Sequence, residues 1–269
     1  MNATLIASEC EARTQPRVVV AGLASCFGCQ LQITNAEAHL LEVLGQIDLR
    51  YWQLVSSEPL PDEYDVAVIE GAVTTDEAVR TVRELRAKAK AVIAIGACAV
   101  TGGVPGMAAA GFDDRVAGTF EGAVPSACGT MRAPKPVSDY IDVDFTVRCC
   151  PIDSYDFIRV LQSALYGSNH IEADRTMCGD CKRRENECFY KQGTLCLGLV
   201  TRAACGARCV NLGRPCNGCA GLSPDANLEA ARTTCTAAGV DPNRFDEALQ
   251  MFNQAALIAA ADAARKEAE

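Results

Sequence analysis

Short apolar runs alternate with amphipathic stretches over residues 17–165. Runs rich in valine, isoleucine and alanine predict buried strands at residues 17–23, 48–55, 64–69, 91–95 and 143–147. Apolar residues at helical spacing predict a helix from Cys29 to near Gly45, and two more at residues 74–90 and 154–166. Thr75 or Asp76 is expected to cap the second of these. The succession predicts an α/β fold, in which helices cover a mostly parallel sheet.

The alternation stops near residue 170, and a glycine-punctuated segment with eight cysteines follows at residues 178–219. Its apolar residues show almost no regular spacing, so we expect hardly any hydrophobic core there. Bound metal is predicted to hold this segment together. Beyond it, residues 241–269 are rich in Ala and Glu and predict one or two helices that pack against the cysteine-rich part or a partner.

Composition narrows the class of protein. Of the 269 residues, 49% are hydrophobic and 22% are charged, as in a folded globular protein. The net charge of -9 and the pI near 4.9 lack the basic surface that nucleic-acid binding requires, so nucleic acid is not an expected partner. We expect no membrane span, secretory signal or twin-arginine signal, and therefore a cytoplasmic location.

In a reducing compartment, the sixteen cysteines point to metal or redox chemistry rather than to disulfides. Cys26 and Cys29 follow the first predicted strand, Cys98 follows the fourth, and Cys149 and Cys150 follow the fifth. Because the carboxyl ends of parallel strands meet at one edge of a sheet, four of these thiolates are predicted to converge. A C-x2-C pair and a Cys-Pro are common among the ligands of a 4Fe-4S cluster. The alternative is a scatter of small buried side chains.

The cysteines beyond residue 170 form two sets of four. Their spacing is C-x2-C-x6-C-x7-C from Cys178 and C-x3-C-x6-C-x2-C ending at Cys219. Four cysteines also describe a structural zinc site, but a zinc ribbon has two C-x2-C pairs around one ion. Here each pair is interleaved with single cysteines at longer spacing, which favours iron-sulfur clusters over zinc.

Six stretches together resemble the small, electron-transferring subunit of nickel-iron hydrogenases, most closely the cytoplasmic sulfhydrogenase or NAD(P)-linked type, also called the delta subunit. They are SCFGCQLQ at 25–32, EGAVTT at 70–75, IGACAVTGG at 95–103, CCP at 149–151, CLGLVTRAACGARC at 196–209 and PCNGC at 215–219. The similarity extends over nearly the full chain.

The resemblance implies a flavodoxin-like domain at 17–168, after an N-terminal extension at 1–16, and a cysteine-dense iron-sulfur domain with terminal helices at 169–269. It also implies three 4Fe-4S clusters. The implied ligands are Cys26, Cys29, Cys98 and Cys150 (the proximal set), Cys205, Cys209, Cys216 and Cys219 (the medial set), and Cys178, Cys181, Cys188 and Cys196 (the distal set).

The same resemblance implies that the nickel-iron centre and the chemistry of dihydrogen belong to a separate large subunit. This chain would then pass electrons to a flavin/NAD(P)- or ferredoxin-type partner, with any FAD or NAD(P) held by other subunits. No residue of this chain is expected to be catalytic.

The chain departs from exported relatives at three positions: Cys178 stands in place of a histidine, Leu31 in place of an acidic residue, and Cys149 in place of a glycine. Cys149 would compete with Cys150 for iron, although the proline after Cys150 favours the latter. Glu70 either approaches the proximal cluster or only bonds a neighbouring loop. The remaining cysteines and the two histidines are expected to be structural: Cys10, Cys128, Cys235, His39 and His170.

Two other functions stay open from the sequence. One is a relay subunit of the respiratory complex I type, which shares the N-terminal fold but lacks the eight-cysteine extension. The other is a non-catalytic zinc protein that uses four-cysteine sites as scaffolds.

Overall fold

The computed structural model describes residues 15–121 and 129–268. Its strands are β1 Arg17–Gly22, β2 Asp48–Trp52, β3 Val66–Glu70, β4 Val73–Thr75, β5 Ala91–Ile95, β6 Met131–Lys135 and β7 Phe145–Val147. Five of them form a parallel sheet in the order β2-β1-β3-β5-β7, while β4 and β6 form an antiparallel ribbon. Counted within the main sheet, this is the 2-1-3-4-5 order of flavodoxin-like folds. The predicted α/β class is confirmed.

The helices surround the sheet and continue into the cysteine-rich part. They are α1 Gly28–Thr34, α2 Ala38–Leu44, α3 Asp76–Lys88, α4 Gly96–Thr101, α5 Phe112–Phe120, α6 Ser154–Tyr166, α7 Met177–Arg183, α8 Arg208–Asn211, α9 Leu228–Ala237 and α10 Pro242–Ala268. The Thr75 hydroxyl accepts the Ala78 N–H at 3.1 Å and caps α3, as predicted. Residues 242–268 form one continuous helix.

The single helix predicted between Cys29 and Gly45 is wrong, because the chain turns between α1 and α2. The Thr34 hydroxyl donates to the Leu31 carbonyl at 2.7 Å, and Glu37 adopts a left-handed φ of 47°. Short polar side chains such as Thr and Asn bond nearby backbone and favour helix ends over helix interiors. The break leaves α1 as a short helix directly after Cys26.

Both faces of the main sheet are buried, which explains its continuous apolar runs. In β1, Val18 and Val20 face one core, and Val19 and Ala21 face the other. The strands therefore hold the loops at their carboxyl ends on a rigid base.

The expectation that the cysteine-rich part has hardly any apolar core is wrong. Leu197 and Val200 are buried against Phe245 and Leu249, two residues of α10. The sequence between Cys178 and Cys219 supplies few apolar residues because the helices that follow supply the rest. Helix α10 also contacts α4 and residues 105–109, so it joins this core to the sheet domain.

Beside the amino end of β1, Asp65 forms a buried ion pair. Its carboxylate is 1% exposed and accepts the backbone N–H of Arg17 at 2.8 Å and the Arg17 Nε–H at 3.2 Å. Burial alone would raise the pKa of Asp65, but the bonds from Arg17 outweigh it and the pKa is lowered.

We expect Asp65→Asn to reduce the free energy of unfolding by roughly 3 kcal/mol at neutral pH, since it leaves Arg17 without its buried partner. Because the folded-state pKa of Asp65 is lowered, its stabilisation is present above the ordinary pKa and is lost as pH falls through the lowered one. Urea unfolding at neutral and acidic pH measures this difference. The matched control is Glu63→Gln at the 76% exposed partner of Arg17, with an expected change under about 0.5 kcal/mol. An equal loss for Asp65→Asn at both pH values would contradict the prediction.

Candidate metal centres

The four cysteines of the proximal set lie together at the carboxyl edge of the sheet. Cys26 and Cys29 follow β1, Cys98 lies in α4 after β5, and Cys150 follows β7. Burial, followed by the nearby charges of Cys150 and Cys26, raises the pKa of Cys98 to about 11. Burial also raises the pKa of Cys29, and Cys150 and Cys98 add to the effect. A positive metal centre would reverse this preference, because a coordinating thiol is deprotonated.

Glu70 does both of the things left open from the sequence. It ends β3, is 1% exposed, and accepts the N–H of Cys29 at 3.1 Å and of Gln30 at 3.4 Å. These N–H groups belong to the first turn of α1, where no earlier carbonyl can bond them. The same carboxylate lies close enough to Cys29, Cys98 and Cys150 to act on their pKa values.

Glycines let the backbone approach the proximal thiols. Gly96 has a φ of 81°, and a Cβ added to it would overlap the Sγ of Cys29. A Cβ at Gly28 would lie 3.1 Å from the Sγ of Cys26. Four convergent thiols with close backbone on two sides fit an inorganic cluster, which needs thiolate ligands and little side-chain bulk nearby.

The distal set is also brought together. Burial is the main cause that raises the pKa of Cys178 to about 11, and the charges of Cys196, Cys181 and Cys188 follow it. Cys188 is exposed, whereas the other three are partly buried. This set therefore has one side open to solvent.

The medial set lines a cavity of about 80 Å³. Besides the four medial thiols, its walls are mostly apolar and come from Cys150, Met177, Thr201, Ala207, Val210, Asn217, Ala220 and Phe252. Four cysteines around a largely apolar space fit an iron-sulfur cluster, since thiolates hold it and burial tunes its potential.

Adjacent sets are joined by backbone hydrogen bonds to sulfur. The Cys150 N–H donates to the Sγ of Cys219, which links the proximal and medial sets. The Cys216 N–H donates to the Sγ of Cys196 at 3.3 Å, which links the medial and distal sets. The medial set thus lies between the other two.

Cys149 points away from the proximal set. Its buried thiol hydrogen-bonds Cys205 and Cys219 of the medial set. The bond from Cys149, helped by the N–H groups of Arg208 and Ala207, lowers the pKa of Cys205 to about 6 although burial opposes it. Sequence alone did not find this orientation; the cysteine in place of glycine was the only signal.

The remaining candidates are structural where they are described. Cys235 is fully buried and lies 3.4 Å from the Tyr190 hydroxyl. His39 stacks edge-on against Tyr155 with ring centroids 5.3 Å apart. His170 lines a cleft of residues from both the sheet domain and the cysteine-rich part. Cys10 and Cys128 lie outside the described residues.

Exposed cations collect around the distal and medial sets. Between Cys178 and Cys219 the chain has seven basic and three acidic residues, although the whole chain carries a net charge of -9. The exposed basic ones are Lys182, Arg183, Arg184, Lys191, Arg208 and Arg214. Cys188 and Cys209 are exposed among them.

Neither a compact single-ion site nor a membrane span is found over residues 15–121 and 129–268. No three His, Cys, Asp or Glu side chains in these ranges are grouped closely enough to hold a single metal ion. No helix in the same ranges combines the length and the apolar character that crossing a membrane requires.

Comparison with known proteins agrees with the fold and the cysteine pattern. Residues 26–164 match the family described as NADH ubiquinone oxidoreductase, 20 Kd subunit. The structure is similar to that of a NiFeSe hydrogenase from Dm. baculatum, with a TM-score of 0.56 and 18% identity over 79% of this chain and 97% of the other. At that identity the likeness shows the fold alone.

Two curated relatives extend the match beyond residue 164. The sulfhydrogenase 2 subunit delta of Pyrococcus furiosus is 32% identical over 77% of this chain and 86% of its own length. A vhu subunit of the F420-non-reducing hydrogenase of Methanocaldococcus jannaschii is 28% identical over 88% of this chain and 91% of its own length. The chain therefore belongs to the family of the NADH ubiquinone oxidoreductase 20 Kd subunit and, within it, to the small subunits of nickel-iron hydrogenases.

Proposed function

We propose that this chain relays electrons in a nickel-iron hydrogenase through three 4Fe-4S clusters. The proposed order is the proximal set nearest the large subunit, then the medial set, then the distal set nearest a flavin/NAD(P)- or ferredoxin-type partner. When bound, such clusters supply reversible one-electron chemistry. The proximal set belongs to the proposed domain at 17–168, and the other two belong to the proposed domain at 169–269.

One observation carries this proposal: three groups of four cysteines are neighbours in a row. The Cys150 N–H reaches Cys219, and the Cys216 N–H reaches Cys196, so a ligand residue of one set bonds a sulfur of the next at both junctions. This arrangement supports a linear relay with the medial set in its middle.

The residues of this chain act as cages and as tuners of charge. Thiolates hold the metal, and N–H groups that donate to sulfur stabilise the more reduced, more negative state. Glu70 acts in the opposite direction, because its carboxylate places negative charge near three proximal thiols.

The proposed large-subunit face surrounds the proximal set. Cys26 and Cys150 are exposed there, and the apolar side chains of Leu31 and Val104 are 51% and 49% exposed. Leu31 lies in α1 beside Cys29, and the Val104 N–H donates to Cys98. Exposed apolar groups beside two ligands suit a surface that a partner subunit covers.

The test is to measure iron, acid-labile sulfide and zinc per chain on protein purified without oxygen. We expect about twelve irons with matching sulfide, from three clusters of four. About eight irons would mean that one proposed cage is wrong. Two zincs with little iron would support the zinc scaffold instead. As a control, the isolated chain should not consume dihydrogen with a dye acceptor, since that chemistry belongs to the large subunit.

A further inference from the structure

Cys149 is held in a conformation that a cysteine rarely adopts. It has a φ of 93° and is 6% exposed, and its carbonyl accepts the Ala97 N–H at 2.9 Å. A left-handed φ costs an L-residue about 1–2 kcal/mol, and glycine avoids most of that cost. A glycine would therefore be the more stable residue if the side chain had no role.

The side chain makes specific contacts with two ligands of the medial set. Its thiol hydrogen-bonds both Cys205 and Cys219, and it keeps its proton while the pKa values of those two residues fall. Cys149 therefore acts as the donor and the two medial sulfurs act as acceptors.

The next residue along the chain belongs to the proximal set. Cys150 lies close to Cys26, and its own N–H donates to Cys219. Cys219 thus accepts two hydrogen bonds from one dipeptide, one from the Cys149 thiol and one from the Cys150 backbone.

We propose that Cys149 is a positioning residue of the relay, whose thiol hydrogen-bonds the medial sulfurs of Cys205 and Cys219 and ties them to the proximal ligand Cys150. This inference rests on the proposed function. Cys149 is assigned no iron, because the medial set has four other cysteines around its cavity. Its role is to raise the reduction potential of the medial centre, since hydrogen bonds to ligand sulfur favour the reduced state.

The test uses the whole hydrogenase complex, purified without oxygen, with Cys149→Gly and Cys149→Ser. Glycine removes the donor and suits the backbone, so misfolding is not expected. Serine keeps an O–H donor at the same position. Iron is counted first, and the medial midpoint potential is then measured by redox titration followed by electron paramagnetic resonance. The medial signal is identified as the one missing from Cys209→Ala.

We expect Cys149→Gly to keep all its iron and to shift the medial midpoint to a more negative potential. Cys149→Ser should shift it less. Cys235→Ser, at a second buried thiol outside the three sets, should leave the medial midpoint unchanged.

Three results would overturn the inference while leaving the proposed function intact. They are loss of about four irons in Cys149→Gly, which would make Cys149 a ligand, an unshifted medial midpoint in that variant, and equal shifts in the glycine and serine variants. Absence of iron from the unaltered complex would instead overturn the proposed function and this inference together.

Discussion

Cys29→Ala is expected to remove about four of about twelve irons per chain and to reduce hydrogen-driven dye reduction to background. Cys29 is buried at the centre of the proximal set, close to both Cys98 and Cys150. Alanine offers no sulfur, and the proximal set would be the first step between the large subunit and the rest of the relay. Iron analysis and a dye-reduction assay on the complex measure the two effects.

The matched control is Cys235→Ala, which also removes a buried thiol. It should retain all the iron and reduce dye at the rate of the unaltered complex. Full iron in Cys29→Ala, or equal iron loss in both variants, would contradict the assignment of Cys29 as a ligand. Large-subunit binding, measured by co-purification, separates loss of the relay from loss of the complex.

Gly96→Ala should damage the same site without touching a sulfur ligand. Its φ of 81° costs alanine about 1–2 kcal/mol, and the new Cβ overlaps the Sγ of Cys29. Cys29 must move away, so we expect less proximal iron and a strongly reduced rate of dye reduction. The rate and the iron content per chain are the measurements.

Gly118→Ala provides the comparison for that substitution. Gly118 lies in α5, and a Cβ there meets nothing within 4 Å. Because alanine favours a helix more than glycine does, this variant should be equally or more stable, with unchanged iron. If Gly96→Ala behaved like Gly118→Ala, the close approach of the backbone to Cys29 would have no role in the site.

Much of the fold follows from sequence because one physical rule governs it. Strands buried on both faces read as unbroken apolar runs, and the carboxyl ends of parallel strands share an edge. These two facts predicted that Cys26, Cys98 and Cys150, far apart in sequence, would meet.

Other features depend on contacts that no local pattern encodes. The core of the cysteine-rich part was missed because Phe245 and Leu249 come from a helix beyond the last cysteine of the medial set. The break after Thr34 reflects competition between short polar side chains and helix bonds. The direction of Cys149 depends on a left-handed backbone angle, which a sequence signals only weakly when the residue is not glycine. The domain limits at residues 16 and 168 stay predictions.

The separation of charge in this chain has a consequence for the speed of encounters. A protein with a net charge of -9 repels an acidic redox carrier from most directions, but the cations around Cys188 and Cys209 attract it at one place. Such a field selects productive orientations before contact and raises the association rate. Its reach is about one Debye length, roughly 8 Å at physiological ionic strength. The traffic of electrons out of this subunit would therefore be paced partly by the salt of its surroundings, independently of any cluster potential.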